Sequence, residues 1–164
     1  FKQSVFEVRL SRLAEPARHG FEEVDFQFAP NPGEPLKPLR LTASSGEMSR
    51  VLLAVKSALA KQEIVPLMVF DEIDANVGGN IAEAVGRKMA SLGGTHQVIA
   101  ITHFPQVASL AKSHFVVTKD IEGNRTKSSI REVAEEERIE ELARMLGGRL
   151  ESAREHARAL LAGA

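Results

Sequence analysis

The fold is decided by the stretch Leu67-Met68-Val69-Phe70-Asp71-Glu72, an apolar run that ends in two adjacent carboxylates. Such a run is typical of a strand that is buried on both faces of a parallel sheet. A second apolar run, at residues 98–102, ends at His103, and a helix predicted over about 80–92 separates the two runs. This alternation predicts an α/β domain with a largely parallel sheet flanked by helices.

Further elements are predicted on both sides of this centre. Patterning and turn residues indicate strands near 5–10, 24–28, 114–119 and 126–133, an irregular loop at 29–35, and helices over about 44–61, after Pro105, and from 135 to about 161 with a break at Gly147-Gly148.

Composition restricts the classes of function. The net charge of -1 over 164 residues gives no overall electrostatic footprint for nucleic acid, so any DNA contact must come from a local patch, a partner subunit or a segment outside this chain. The absence of cysteine excludes disulfides and thiolate metal sites. The apolar runs are too short to cross a bilayer, so we expect no membrane partner. Because the chain begins at Phe1, we expect it to be part of a longer protein.

The carboxylates Asp71 and Glu72 are the first candidate site. The carboxyl end of a buried strand is where open α/β sheets bind ligands. In nucleotide hydrolysis, one carboxylate helps to hold Mg²⁺, while a neighbour can polarise or deprotonate the attacking water. The alternative is that the pair merely begins a solvated loop, and the dipeptide by itself leaves both interpretations open.

Ser44, Ser45, Gly46 and Glu47 have the form of a capping box at the start of a helix. A helix N-terminus preceded by small residues also suits an anion, because its backbone N–H groups point outward. An ordinary helix cap explains the same four residues.

His103 is placed to donate to a phosphate oxygen and so to sense a γ-phosphate. A structural histidine that bonds a loop carbonyl is the alternative. What favours the functional interpretation is the order of the three signals, because a helix-opening Ser-x-Gly-Glu precedes a strand ending in Asp-Glu, and a further strand ends at His.

These motifs resemble the signature, Walker B and switch-histidine segments of ABC-type ATPases, with residues 73–79 at the position of the D-loop. More narrowly, five segments resemble the RecN family of bacterial DNA repair proteins, an SMC-like branch of these ATPases. They are residues 31–35, 43–50, 70–74, 101–108 and 135–148.

The resemblance implies the roles of the site residues. Asp71 would help to hold Mg²⁺, Glu72 would activate water, and His103 would contact the γ-phosphate of ATP. The signature residues Ser44, Ser45, Gly46 and Glu47 would contact ATP held by a second copy of the head, in a homodimer.

The resemblance also implies the architecture. Residues 1–164 would be the C-terminal lobe of an ATPase head, joined through a coiled coil to an N-terminal half that carries the P-loop. The whole protein would use ATP-driven head dimerisation in DNA double-strand-break repair and recombination, in the cytoplasm at the nucleoid. This lobe alone would be inactive as an ATPase, because the sequence contains no P-loop motif.

Two positions depart from the family pattern. Ser45 stands where the signature usually has its first glycine, and a residue with a Cβ would be strained there if the position required a positive φ. Gly78 stands where many ABC proteins have the D-loop aspartate, with Asp74 and Asn76 as unranked substitutes.

Two other functions stay open at this stage. A transporter nucleotide-binding subunit would share the generic ATPase motifs, but not the loop at 31–35 or the C-terminal helix. A non-catalytic dimerisation module would fit the missing P-loop and Ser45.

Overall fold

The computed structural model describes residues 4–42, 44–60, 62, 65–71, 73–75, 77–123, 125–148 and 150–164, with the backbone alone at 42 and 122. The chain forms two compact units, Phe1–Met48 and Ser49–Ala164. The elements in chain order are β1 (Val5–Ala17), β2 (Gly20–Ala29), β3 (Lys37–Pro38), α1 (Leu39–Thr42), α2 (Ser45–Leu59), β4 (Leu67–Asp71), α3 (Gly79–Leu92), β5 (Gln97–Ile101), α4 (Pro105–Ala108), β6 (His114–Glu122), β7 (Arg125–Val133), α5 (Glu135–Met145) and α6 (Glu151–Ala162).

The first unit is built on an antiparallel hairpin of β1 and β2, and the short strand β3 pairs with β2. The strands are longer than predicted and meet in a tight turn before Gly20, whose φ of 113° favours glycine. Side chains alternate across the hairpin, so one face is apolar and includes Phe6 and Phe26, stacked at 5.7 Å between ring centroids. Both phenylalanines remain exposed in this chain.

The second unit is centred on the parallel pair of β4 and β5, in which Asp71 lies opposite Ile101. One face of the pair is buried, with Met68 and Phe70 in a core that α3 supplies with Ala82, Val85 and Met89. The other face is exposed, and it carries Leu67, Val69, Ile99 and Ile101 at 44%, 56%, 44% and 57% exposure. The prediction that these strands are buried on both faces is therefore wrong for this chain.

The prediction of a largely parallel sheet is confirmed only for β4 and β5. The other sheets in the described part of the chain, β1-β2-β3 and β6-β7, are antiparallel. Loop length explains the difference, because strands joined by a tight turn must run in opposite directions. A parallel pair needs a crossover, and α3 provides it between β4 and β5.

The helix α4, which follows the candidate switch histidine, packs against α3 at Gly86. A Cβ on Gly86 would lie 2.7 Å from Leu110 Cδ1 and 3.2 Å from the Cα of Val107. The missing side chain therefore allows the two helices to approach closely. This contact fixes where the segment after β5 runs.

The C-terminal helices α5 and α6 form a second core with α4, through the buried residues Ala108, Leu142, Ala143 and Ala157. Arg138 on α5 forms hydrogen bonds with the backbone at the end of α4. Its Nη2 donates to the carbonyl oxygens of Ala108, Ser109 and Ala111 at 3.2, 2.9 and 2.7 Å. Ion pairs between Arg154 and Glu140 and between Arg158 and Glu136 add contacts between the two helices.

Gly86→Ala should destabilise the chain, although alanine is the better helix former by about 1 kcal/mol. Overpacking against the backbone of Val107 costs about 1–3 kcal/mol, so we expect a net loss of about 1 kcal/mol in urea unfolding. Gly79→Ala, in the first turn of the same helix, is the control, because a Cβ there would lie 3.5 Å from Gln106 Nε2, an ordinary van der Waals contact. An increase in stability for Gly86→Ala would contradict the close packing.

His114, at the start of β6, should make stability depend on pH. Burial and the nearby Arg138 guanidinium lower the pKa of this imidazole, and the opposing effect of Glu141 is smaller. The unfolded chain therefore binds this proton more readily, and stability falls as the pH drops through about 6.5. The free energy of unfolding, measured in urea, should be lower at pH 5 than at pH 8. His114→Gln should make this difference between the two pH values smaller than in the unmodified chain. His19→Gln, at an exposed position, is the comparison, and equal effects of the two substitutions would refute the assignment.

Candidate functional site

The candidate site lies at the carboxyl end of the β4–β5 pair. Because the strands are parallel and Asp71 is in register with Ile101, the segments that follow them leave the sheet at the same edge. Asp71 is exposed there, and by the alternation of the strand it belongs to the same face as Leu67 and Val69. The predicted catalytic residue Glu72 lies outside the described residues.

Asp74 is the buried centre of this edge. Its exposure is 0%, and its Oδ2 accepts a hydrogen bond from the Thr102 hydroxyl. The hydroxyl oxygen of Thr102 in turn accepts from the backbone N–H of Phe104 at 3.0 Å. These bonds join the segment after β4 to the segment after β5. From the sequence, Asp74 and Asn76 are unranked substitutes for the D-loop aspartate, and that role stays a prediction. The structure shows Asp74 as a buried link between the two segments, and Asn76 lies outside the described residues.

His103 stands beside this connector. Its side chain is 72% exposed, and its Nδ1 lies 3.9 Å from Oδ1 of Asp74. The ring also contacts Phe104, with centroids 4.7 Å apart. The structure therefore places an accessible imidazole at the same edge as Asp71, as the order of the motifs predicts. The contact of His103 with phosphate stays a prediction.

Arg50 on α2 also binds the segment that follows β4. Its guanidinium donates to the backbone carbonyl oxygens of Ile73 and Ala75 at 3.1 and 3.3 Å. Sequence reasoning missed Arg50 and Thr102, because their partners are carbonyls and carboxylates distant in the chain. The one local signal was the polar Thr102 between an apolar strand and His103.

The signature residues form a complete capping box in the first unit. The backbone N–H and the hydroxyl of Ser44 both donate to Oε2 of Glu47 at 2.9 Å, and the backbone N–H of Glu47 donates to the Ser44 hydroxyl oxygen at 3.4 Å. Ser45 and Gly46 occupy the first turn of α2. Within the described part of the chain, Glu135 is the non-glycine residue with a positive φ. Ser45 is therefore not strained, because this position is helical.

The exposed carboxylate of Asp71 at this edge is the kind of ligand that Mg²⁺ uses. Among the described residues, no group of three or more His, Cys, Asp or Glu side chains is able to hold a metal. Mg²⁺ is commonly bound by one or two carboxylates together with substrate phosphates and water, which a single exposed Asp71 fits. None of the helices in the described part of the chain is long and apolar enough to cross a membrane.

The chain is similar over nearly its whole length to curated RecN proteins. It is 49% identical over 158 residues to the DNA repair protein RecN of Deinococcus radiodurans, which covers 96% of this chain and 28% of that protein. It is 39% identical over 166 residues to the DNA repair protein RecN of Halalkalibacterium halodurans, covering 98% and 29%. Over this segment the chain is a homologue of RecN. No protein-family model matches it.

Solved structures of SMC proteins share the fold. One, from work on ATP-driven dimerization and DNA-stimulated activation of SMC ATPases, covers 87% of this chain and 83% of its own, with a TM-score of 0.53 and 21% identity. A second structure is a Smc head domain with a coiled coil and joint from Pyrococcus yayanosii. The match covers 76% of this chain and 23% of that one, with a TM-score of 0.53 and 21% identity. At this identity the likeness concerns the fold alone, which is that of an SMC ATPase head.

The similarity to RecN extends along the segments that carry the candidate site, but it covers only part of each relative. The chain spans 28–29% of the length of the two RecN proteins above. The predicted roles of Asp71, Glu72, His103 and residues 44–47 therefore belong to a proposal about a longer protein.

Proposed function

We propose that this chain is the C-terminal lobe of the ATP-binding head of a RecN-type protein. In that proposal, ATP joins two heads and hydrolysis separates them, and the cycle serves DNA double-strand-break repair and recombination. The relatives with which the chain shares up to 49% identity carry the name DNA repair protein RecN. Repair of the chromosome implies a cytoplasmic protein that works at the nucleoid, with DNA as a partner of the whole protein.

The observation that carries the proposal is the exposed apolar face of β4 and β5, formed by Leu67, Val69, Ile99 and Ile101. Parallel strands are normally covered on both faces, so an exposed apolar face is expected to pack against a further layer of protein structure. We assign that layer to the N-terminal half, which would bring the P-loop. Asp71 belongs to the same face at its carboxyl end, so a nucleotide carried by the covering layer would meet this carboxylate.

In the proposed reaction, three residues of this site would have separate roles. Asp71 would hold Mg²⁺, whose charge neutralises phosphate oxygens. Glu72 would accept a proton from the attacking water, and the exposed imidazole of His103 would donate to a phosphate oxygen. Asp71 ends β4 and His103 follows β5, so both belong to the carboxyl edge of the pair.

The signature residues Ser44, Ser45, Gly46 and Glu47 would act on ATP held by the partner head in a homodimer. The capping box supports this role because it preorganises the start of a 15-residue helix, where backbone N–H groups attract anions. The helical position of Ser45 removes the strain that argued for a non-catalytic module. The transporter alternative has no support among the relatives, which are RecN proteins.

The first test replaces Glu72 by glutamine in the full-length protein. Removal of the base should lower kcat for ATP hydrolysis by about 100-fold or more, while ATP binding stays within about threefold. Dimers of heads should then accumulate with ATP, as measured by light scattering. Glu83→Gln is the matched control, because Glu83 is an exposed carboxylate that pairs with Arg87 on α3. Turnover equal to that of the unmodified protein would overturn the assignment of Glu72.

The second test concerns the 164-residue chain by itself. It should show no measurable ATP hydrolysis, because the backbone N–H groups of a P-loop are missing from its sequence. Calorimetry should likewise detect no Mg-ATP binding at micromolar concentration. Micromolar affinity would contradict the proposal that an N-terminal half supplies the phosphate site.

A further inference from the structure

We propose that Asp74 is a positioning residue for His103, and that Thr102 holds Asp74 in the orientation this requires. The buried carboxylate would accept the Nδ1–H of the imidazole and so present Nε2 on the opposite side of the ring. The catalytic consequence of this arrangement rests on the proposed ATPase function. The arrangement itself is a property of this chain.

The first step is the fixed orientation of the carboxylate. Asp74 is completely buried, and its Oδ2 accepts the hydroxyl proton of Thr102. The Thr102 oxygen accepts from the N–H of Phe104, and a hydroxyl that accepts this bond is left to donate its single proton to Asp74. Each group therefore has one role, and the carboxylate cannot rotate without breaking the chain of bonds.

The second step is the oxygen that remains. Oδ1 of Asp74 is buried and has no hydrogen-bond partner among the described residues. Buried polar atoms nearly always have partners, since an unpaired one costs free energy. Nδ1 of His103 lies 3.9 Å from this oxygen, and a shift of about 1 Å would bring it within hydrogen-bonding distance. The ring is 72% exposed and is therefore free to make that shift.

The third step is what the contact does to the imidazole. A neutral imidazole carries one proton on its two nitrogens. The hydrogen bonds that neighbouring groups make with the ring decide which nitrogen carries it. A carboxylate only accepts, so Oδ1 selects the tautomer with the proton on Nδ1. The ring plane is then held and Nε2 points away from the buried carboxylate. Carboxylates that fix histidines in this way are usual beside metal ions and in hydrolase triads.

A purely structural role for Asp74 makes a different prediction. If the carboxylate only joined the two segments through Thr102, the substitution Asp74→Asn would keep an oxygen to accept the Thr102 hydroxyl and would leave the imidazole unaffected. If Asp74 positions His103, the amide N–H₂ of asparagine would face Nδ1, and the ring proton would move to Nε2. The tautomer of His103 thus separates the two roles.

The experiment is nitrogen-15 NMR of the histidine rings in the chain described here, at a pH where they are neutral. His103→Gln assigns the signal. We expect protonated Nδ1 in the unmodified chain, protonated Nε2 in Asp74→Asn, and Nδ1 retained in Thr102→Ser but lost in Thr102→Val. An Nε2–H tautomer in the unmodified chain, or the same tautomer in all variants, would overturn the proposal. Should Asp74→Asn fail to fold, the comparison of Thr102→Ser with Thr102→Val carries the test.

The consequence for catalysis is measured in the full-length protein. Asp74→Asn and Thr102→Val should each lower kcat about 10- to 100-fold with KM for ATP within about threefold, while Thr102→Ser stays close to the unmodified enzyme. Equal loss in Thr102→Ser and Thr102→Val would contradict the positioning role. An inactive full-length protein would refute the proposed ATPase function, whereas the tautomer result would still decide the role of Asp74.

Discussion

The parallel pairing of β4 with β5 is the constraint on which the candidate site depends. The register that sets Asp71 opposite Ile101 makes both following segments leave the sheet at one edge. The crossover that parallel pairing requires is α3, which also covers Met68 and Phe70. The close approach of α4 at Gly86 then directs the segment that carries His103. One helix packed on one strand pair thus brings together residues that are distant in the sequence.

The same pair leaves an apolar surface exposed on one of its faces. Val69 and Ile101 lie on neighbouring strands and expose more than half of their surface, although full burial of such a side chain contributes about 1.5–3 kcal/mol to stability. The hairpin of the first unit repeats the pattern with Phe6 and Phe26 on an exposed face. Regular apolar faces of this kind mark surfaces at which proteins make further contacts.

Local signals in the sequence were enough to predict most elements, but not their burial. The Ser44–Glu47 capping box marks a real helix start, because a cap acts on neighbouring backbone groups. A continuous apolar run carries no period, so residues 67–70 read alike whether one face or two are covered. The role of Asp74 depends on Thr102, 28 residues away, and no local pattern encodes that bond.

Asp71 and Asp74 show how environment assigns different work to the same side chain. Three positions apart in sequence, one carboxylate is exposed on the apolar face and the other is completely buried. An exposed carboxylate can exchange its water for a hydrated cation at little cost, whereas a buried one must satisfy its oxygens with fixed donors. Asp74 has such a donor in Thr102 and has the ring of His103 beside its second oxygen. The edge of the sheet therefore has two carboxylates in different roles. Asp71 is accessible to a ligand, whereas Asp74 binds Thr102 and lies beside His103.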